Sequence, residues 1–246
     1  MSQDPVELTR GLLTEAAALR HGFLDLLGES TGSPAPTFAQ RAMNSPFVAT
    51  VYERLWRPVS FYVASGVTTA AEQRRAASAR RLHGAQRLLD VACGPGNFTA
   101  PLAGQLPDGG LAVGFDISEP MLTRAVLDNS TDRTCYVRGD ARKLPFADET
   151  FDAVCCFGAL YLMPEPFLVA HEMVRVLRPG GRIAILTSYD GGAAPLHYVV
   201  SRGARLIGVR MFDRRAFVEM FTSAGLVDIE QQTQRVLQFV VAAKPA

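Results

Sequence analysis

The stretch Leu88-Leu89-Asp90-Val91-Ala92-Cys93-Gly94-Pro95-Gly96 constrains the fold of this chain more than any other. It reads as a buried apolar strand that meets an acid and runs straight into a tight turn. Gly94 and Gly96 let the backbone take angles closed to other residues and bring its N–H groups against a ligand. Twenty residues past Gly96 a second apolar run, Leu111 to Phe115, ends in another acid, Asp116. Strand, glycine turn, helix and second strand make a βαβ unit, in which the second acid is the partner of ribose hydroxyls.

Two kinds of ligand compete for such a turn. The dinucleotide fingerprint needs a third small residue so that the helix packs closely on the strand with its N-terminus toward a pyrophosphate. Here that position is Thr99, and Asp90 stands four residues before the first glycine. A carboxylate there sits poorly with a pyrophosphate and suits an amino-acid ligand carrying an ammonium group.

Further elements follow in order. Cys135 to Ala141 reads as a strand, a turn, the acid Asp140 and a small residue. Leu144-Pro145-Phe146 leads into a fourth strand, Phe151 to Phe157, and Val176 to Arg182 reads as a helix end and a Pro-Gly-Gly turn before a fifth strand, Ile183 to Thr187. This ordered series resembles the class I S-adenosylmethionine-dependent methyltransferases. The phrase Arg175-Val176-Leu177-Arg178-Pro179-Gly180-Gly181 is similar to that of small-molecule members, above all the quinone-biosynthesis C-methyltransferases. The resemblance covers roughly residues 85–245.

The resemblance implies an α/β, Rossmann-like, seven-stranded and mostly parallel sheet of order 3-2-1-4-5-7-6. Its last strand is antiparallel, helices cover both faces, and an N-terminal helical cap precedes it. It implies S-adenosyl-L-methionine as cofactor and S-adenosyl-L-homocysteine as product. Asp90 would orient the glycine loop and help hold the methionine ammonium, with Gly94 and Gly96 giving it room. Asp116 would take the ribose hydroxyls, with Ile117 beside it and Met121 packed on adenine. Asp140 would accept from the adenine amino group, the Ala141 N–H would meet a ring nitrogen, and Phe157 would lie near the methyl. The family usually has glycine where this chain has Ala92; alanine still allows close approach if its φ is negative, and binding is expected to survive.

Composition bounds the rest. At 246 residues, 48% hydrophobic and 20% charged, the chain supports one α/β domain with appendages. A net charge of +1 gives no field favouring nucleic acid. Cys93, Cys135, Cys155 and Cys156 show no C-x-x-C spacing and fall in or beside core strands, as reduced thiols in a cytoplasmic protein do. Charges interrupt the N-terminal apolar residues, so neither a signal peptide nor a membrane span is expected.

Residues 1–84 are expected to form a helical extension or cap, and 85–246 the core. Leu8, Leu12, Ala16, Leu19, Phe23 and Leu26 recur at helical spacing and predict one amphipathic helix over 5–27. Residues 28–36 read as a linker, 46–56 and 59–82 as helices, and about 190–211 as a lid inserted after the fifth strand. Asp213 is expected to cap the last core helix and Gly225 to end it. Leu226 to Glu230 and Val236 to Ala242 then pair.

Substrate-side candidates are Tyr52, Trp56 and Arg57 in the cap, where ordinary helix packing explains them equally well, and Tyr161 just past the fourth strand, where covering the sheet end explains it equally well. His197 in the lid is the candidate general base, since imidazole titrates near neutral pH. His171 reads as structural, and Arg202, Arg205 and Arg210 as a solvated lid face sooner than as a site that attracts an acidic substrate. After the fourth strand stands Phe157-Gly158-Ala159-Leu160, not the Asn/Asp-Pro-Pro-aromatic turn of amino-methylating nucleic-acid enzymes. There is no Pro-Cys nucleophile, and no acid cluster suggests a metal. What remains is methyl transfer to an O, N or C atom of a small, substantially apolar molecule in secondary or quinone metabolism, by a monomer or homodimer. Two alternatives stay open: non-methylating use of the cofactor, as a cyclase or binder, and an NAD(P)-dependent oxidoreductase.

Overall fold

A computed structural model describes residues 4–28, 86–190 and 209–246. The expected cap helices, the cap residues Tyr52, Trp56 and Arg57, and His197 of the lid lie outside the described residues. The strands are β1 Ala18–Arg20, β2 Phe23–Asp25, β3 Arg87–Val91, β4 Leu111–Asp116, β5 Thr134–Arg138, β6 Phe151–Phe157, β7 Leu177–Ser188, β8 Val227–Gln234 and β9 Leu237–Ala243. The helices are α1 Pro5–Arg10, α2 Thr99–Ala103, α3 Glu119–Asn129, α4 Pro166–Val176 and α5 Ala216–Ser223.

All nine described strands form one sheet, in the order β1-β2-β5-β4-β3-β6-β7-β9-β8. From β5 to β8 this is the expected seven-stranded order, with parallel neighbours from β5 to β7 and β9 antiparallel between β7 and β8. The central strand β6 is buried along its whole length, as a parallel strand covered on both faces must be. On one face Leu89, Val113, Val154 and Ile185 meet α1, α4 and α5; on the other Leu88, Ala112, Cys155 and Tyr136 meet α2 and α3.

The predicted helix over 5–27 does not form. Asp4 caps α1 by accepting from the Val6 N–H at 2.9 Å, and the helix ends at Gly11. The chain then turns at His21 and Gly22, with φ 47° and 84°, into a two-residue hairpin of the kind that needs two left-handed residues. The hairpin lays β2 parallel to β5, pairing Leu24 with Val137 and Asp25 with Arg138. Phe23 and Leu24 are fully buried on opposite faces, each contributing about 1.5–3 kcal/mol of burial. Covering the open β5 edge and both faces outweighs the one apolar stripe a helix would present. The boundary expected at residue 85 is therefore crossed: residues 18–25 belong to the core sheet.

The Pro-Gly-Gly turn forms a bulge inside β7. Leu177 pairs with Phe151 and Arg182 with Ala153, so Arg178 to Gly181 loop out opposite Asp152 alone. Asp213 accepts from the Arg215 N–H at 2.8 Å, opening a turn just ahead of α5. Gly225, at φ 78°, ends that helix as expected.

Candidate active site

β5, β4 and β3 are adjacent, and each ends or turns beside an acid at its carboxyl end: Asp140, Asp116 and Asp90. The glycine loop folds between them. The Cys93 N–H donates to the Phe115 carbonyl at 3.1 Å, and the Gly94 N–H to Asp116 Oδ2 at 2.8 Å. Asp116 Oδ1 accepts from the Ser118 N–H, also at 2.8 Å. Burial pushes the Asp116 carboxyl above its ordinary range, only partly offset by these backbone hydrogen bonds.

The two glycines serve different ends. At Gly94, φ 56°, no described heavy atom lies within 4 Å of where a Cβ would stand. At Gly96, φ 78°, a Cβ would sit 2.5 Å from the Tyr136 hydroxyl. Gly96 thus makes room for Tyr136 and not for a ligand. Tyr136 is buried beneath the loop and donates to the Asn129 carbonyl at 2.8 Å, while Asn129 Nδ2 donates to the Pro95 carbonyl at 2.7 Å. The loop is therefore held from below by the end of α3.

Asp90 is buried, and Thr99 Oγ1 donates to its Oδ2 at 2.6 Å. Cys155 Sγ lies 3.6 Å from Oδ1; burial, and then the Asp90 charge, push that thiol well up, so it keeps the proton it donates. Asp140 is gripped by Arg142, whose Nη2 donates to Oδ2 at 2.6 Å and whose Nε lies 3.1 Å from Oδ1. Burial works to raise the Asp140 carboxyl, but the Arg142 hydrogen bonds and charge outweigh it and hold it below the usual range.

Ala92 has φ 55°, so the negative angle on which its harmlessness was expected to depend is not the one adopted. Ile117 is exposed beside Asp116, Met121 is buried on α3, and Ala141 packs partly buried against the core. The Phe157 ring is buried against Phe98 and Phe239, with ring centres 5.1 and 6.2 Å away, so it packs the core where a place near the methyl was expected. Tyr161 is partly buried in a short 3-10 turn, Leu160–Leu162, and its carbonyl accepts from the Arg210 N–H at 2.9 Å. His171 is exposed on α4. Among the described residues no group of three or more His, Cys, Asp or Glu could hold a metal ion, and no helix is long and apolar enough to cross a membrane.

Sequence reasoning missed Thr99, Tyr136, Asn129 and Cys155 as parts of the site. Thr99 drew notice only as a departure from glycine, and its bond to Asp90 spans nine residues through the turn. Cys155 acts across strands, Tyr136 and Asn129 tie β5 and the end of α3 to the loop, and no local spacing marks them.

Residues 89–185 match the family described as methyltransferase domain. The match runs from β3 into β7, across the carboxyl ends that carry the three acids. Over 118 residues the chain is 42% identical to the demethylmenaquinone methyltransferase of Roseiflexus sp. (strain RS-1), covering 48% of this chain and 47% of that protein. The chain thus spans about half the length of the curated relatives it matches. The fold is also that of Haemonchus contortus phosphoethanolamine N-methyltransferase 2, solved with S-adenosyl-L-methionine, at TM-score 0.67 and 18% identity over 85% of this chain and 59% of that one. The [4+2]-cyclase SpnF shares it at TM-score 0.64 and 20% identity, over 88% and 99%. The sheet that carries this match is extended by the N-terminal hairpin.

Proposed function

We propose that this methyltransferase-fold protein binds S-adenosyl-L-methionine and moves its methyl group to an O, N or C atom of a small, substantially apolar organic molecule. One observation carries the reading: three carboxylates stand at the carboxyl ends of three neighbouring parallel strands, with a glycine loop hydrogen-bonded to the middle one. The residues present fit the cofactor. Each Asp116 oxygen takes one backbone N–H, and a carboxylate has about four lone-pair sites, enough for two ribose hydroxyls as well. The open side of Gly94 gives room above the loop, and Asp90, fixed by Thr99, supplies negative charge for an ammonium. A pyrophosphate would meet that same buried acid, which disfavours the oxidoreductase.

When bound, the cofactor supplies a methyl already activated for in-line displacement. The protein's task is then to align the nucleophile and exclude water, which at best contributes about 7–11 kcal/mol. Asp116 and Asp140 orient the adenosine half and Asp90 the amino-acid half. On the substrate side the reading assigns Tyr161 a contact with the acceptor. It assigns residues 29–84, with Tyr52, Trp56 and Arg57, a cap, and residues about 190–211, with His197 as base, a lid.

The test is titration calorimetry with S-adenosylhomocysteine, followed by incubation of candidate quinols and phenols with methyl-labelled cofactor. Transfer of label to product supports the reading. Binding with isomerised but unlabelled product favours the cyclase use of this fold, and no binding ends the case.

A further inference from the structure

We propose that Arg138 couples the docking of the N-terminal hairpin to the turn that presents Asp116, so that cofactor affinity depends on residues 18–28. The inference rests on the reading of Asp116 as the ribose acid. Arg138 ends β5, opposite Asp25 of β2 on one side and Asp116 of β4 on the other. Its side chain is 14% exposed and joins three separate segments. Nη1 lies 3.3 Å from Asp25 Oδ2 and 3.2 Å from the Gly28 carbonyl, both at the exit of the hairpin. The same nitrogen lies 3.3 Å from Glu119 Oε2 at the start of α3, and Nε lies 3.3 Å from the Ile117 carbonyl.

Ile117 stands between Asp116 and the Ser118 N–H that holds the Asp116 carboxylate. A shift of that carbonyl therefore moves the acid. Asp25 is itself locked, Oδ1 accepting from the Leu27 and Gly28 N–H groups at 2.9 and 3.2 Å. The planar guanidinium fork fixes these contacts relative to one another; an ammonium on a flexible stem cannot. Arg138 is thus a positioning residue, and Asp25 acts on the cofactor through it.

S-adenosylhomocysteine is the probe. In the wild-type chain its addition slows amide hydrogen exchange over residues 23–28. Asp25→Asn, isosteric and able to keep one acceptor for the Leu27 and Gly28 amides, turns a donor toward Arg138 and weakens binding about tenfold, within the usual range of coupling between sites. Arg138→Gln weakens binding at least as much and abolishes the ligand-dependent protection of the hairpin. Should Asp25→Asn lose its fold, Arg138→Lys carries the same test, because it keeps the charge and loses the fork. Wild-type affinity in Asp25→Asn or in Arg138→Lys overturns the coupling, as does hairpin exchange indifferent to ligand. If the wild-type chain does not bind the probe, the reading of the site falls and the coupling with it.

Discussion

Ala92 and Asp116 show what the glycine loop demands of single residues. A non-glycine residue in the left-handed region carries about 1–2 kcal/mol of strain, and Ala92 holds φ 55° at the foot of the loop. Ala92→Gly relieves that strain at a smaller entropic cost, so its thermal midpoint should rise, while Ala92→Val, β-branched, should lose about 2 kcal/mol or more. Thermal denaturation of both variants decides it, and a fall in Ala92→Gly would contradict the strain. Asp116 sets the pH response. Its folded carboxyl is raised by burial, so its contribution to stability is full at low pH and is lost as pH rises through the folded value; at neutral pH the charged form is a cost. On the proposed role of Asp116 as the ribose acid, ligand binding needs that charged form. Affinity for S-adenosylhomocysteine should therefore fall on acidification while still above the ordinary carboxylate range, before Asp140, held low by Arg142, begins to protonate. Asp116→Ala should bind at least tenfold more weakly with its fold intact by circular dichroism, and lose this pH dependence.

At the scale of elements, legibility followed locality. β3, β4, β5, β6 and the closing pair β8 and β9 were readable because continuous apolar runs and turn residues lie side by side in the chain. The places of Asp90 and Asp116 at strand ends, and of Asp140 just past one, were readable because each lies at or beside the end of such a run. The hairpin was not, since Leu8, Leu12, Ala16, Leu19, Phe23 and Leu26 fit a helix by spacing, while what selects β2 is an open edge on β5 more than a hundred residues away. The supports under the glycine loop were hidden for the same reason. Tyr136 fills the space left by Gly96 and also that left by Gly114, where a Cβ would lie 2.6 Å from its ring. The backbone at Gly114 is ordinary strand, so the conflict there is one of volume alone. Gly114→Ala should cost about 1–3 kcal/mol, the usual range for overpacking. Adding Tyr136→Leu to Gly114→Ala should recover part of that loss in a denaturant-melt cycle. Strict additivity would mean that the ring and the glycine do not share the space.

For the whole molecule, the hairpin changes which strand closes the sheet. Without it β5 would present its backbone groups along one side as an unpaired edge, a template for pairing with another chain. With it the outermost strand among the described residues is β1, only three residues long and with every residue exposed, a short edge that offers little to a neighbour. Phe23 seals the α3 face beside Tyr136 and Leu122, and Leu24 the opposite face. Removing residues 1–28 therefore takes away these two anchors and an edge cover, together with the packing of α1 through Val6 and Leu8 and the buried Ala17. Phe23 and Leu24 alone account for about 3–6 kcal/mol if each is worth about 1.5–3, so the loss should be at least that, which for a domain of ordinary stability, about 5–15 kcal/mol, leaves a protein near its limit. The shortened chain should unfold at markedly lower denaturant and self-associate with rising concentration, and light scattering with urea titration measures both. Phe23→Ala, which keeps the β2 backbone in place, separates the two effects: it should lose stability by about 3–5 kcal/mol through the vacated volume and stay monodisperse. A shortened chain that keeps the wild-type midpoint and size would mean that β5 needs no cover, and that the hairpin is an ornament on a core complete without it.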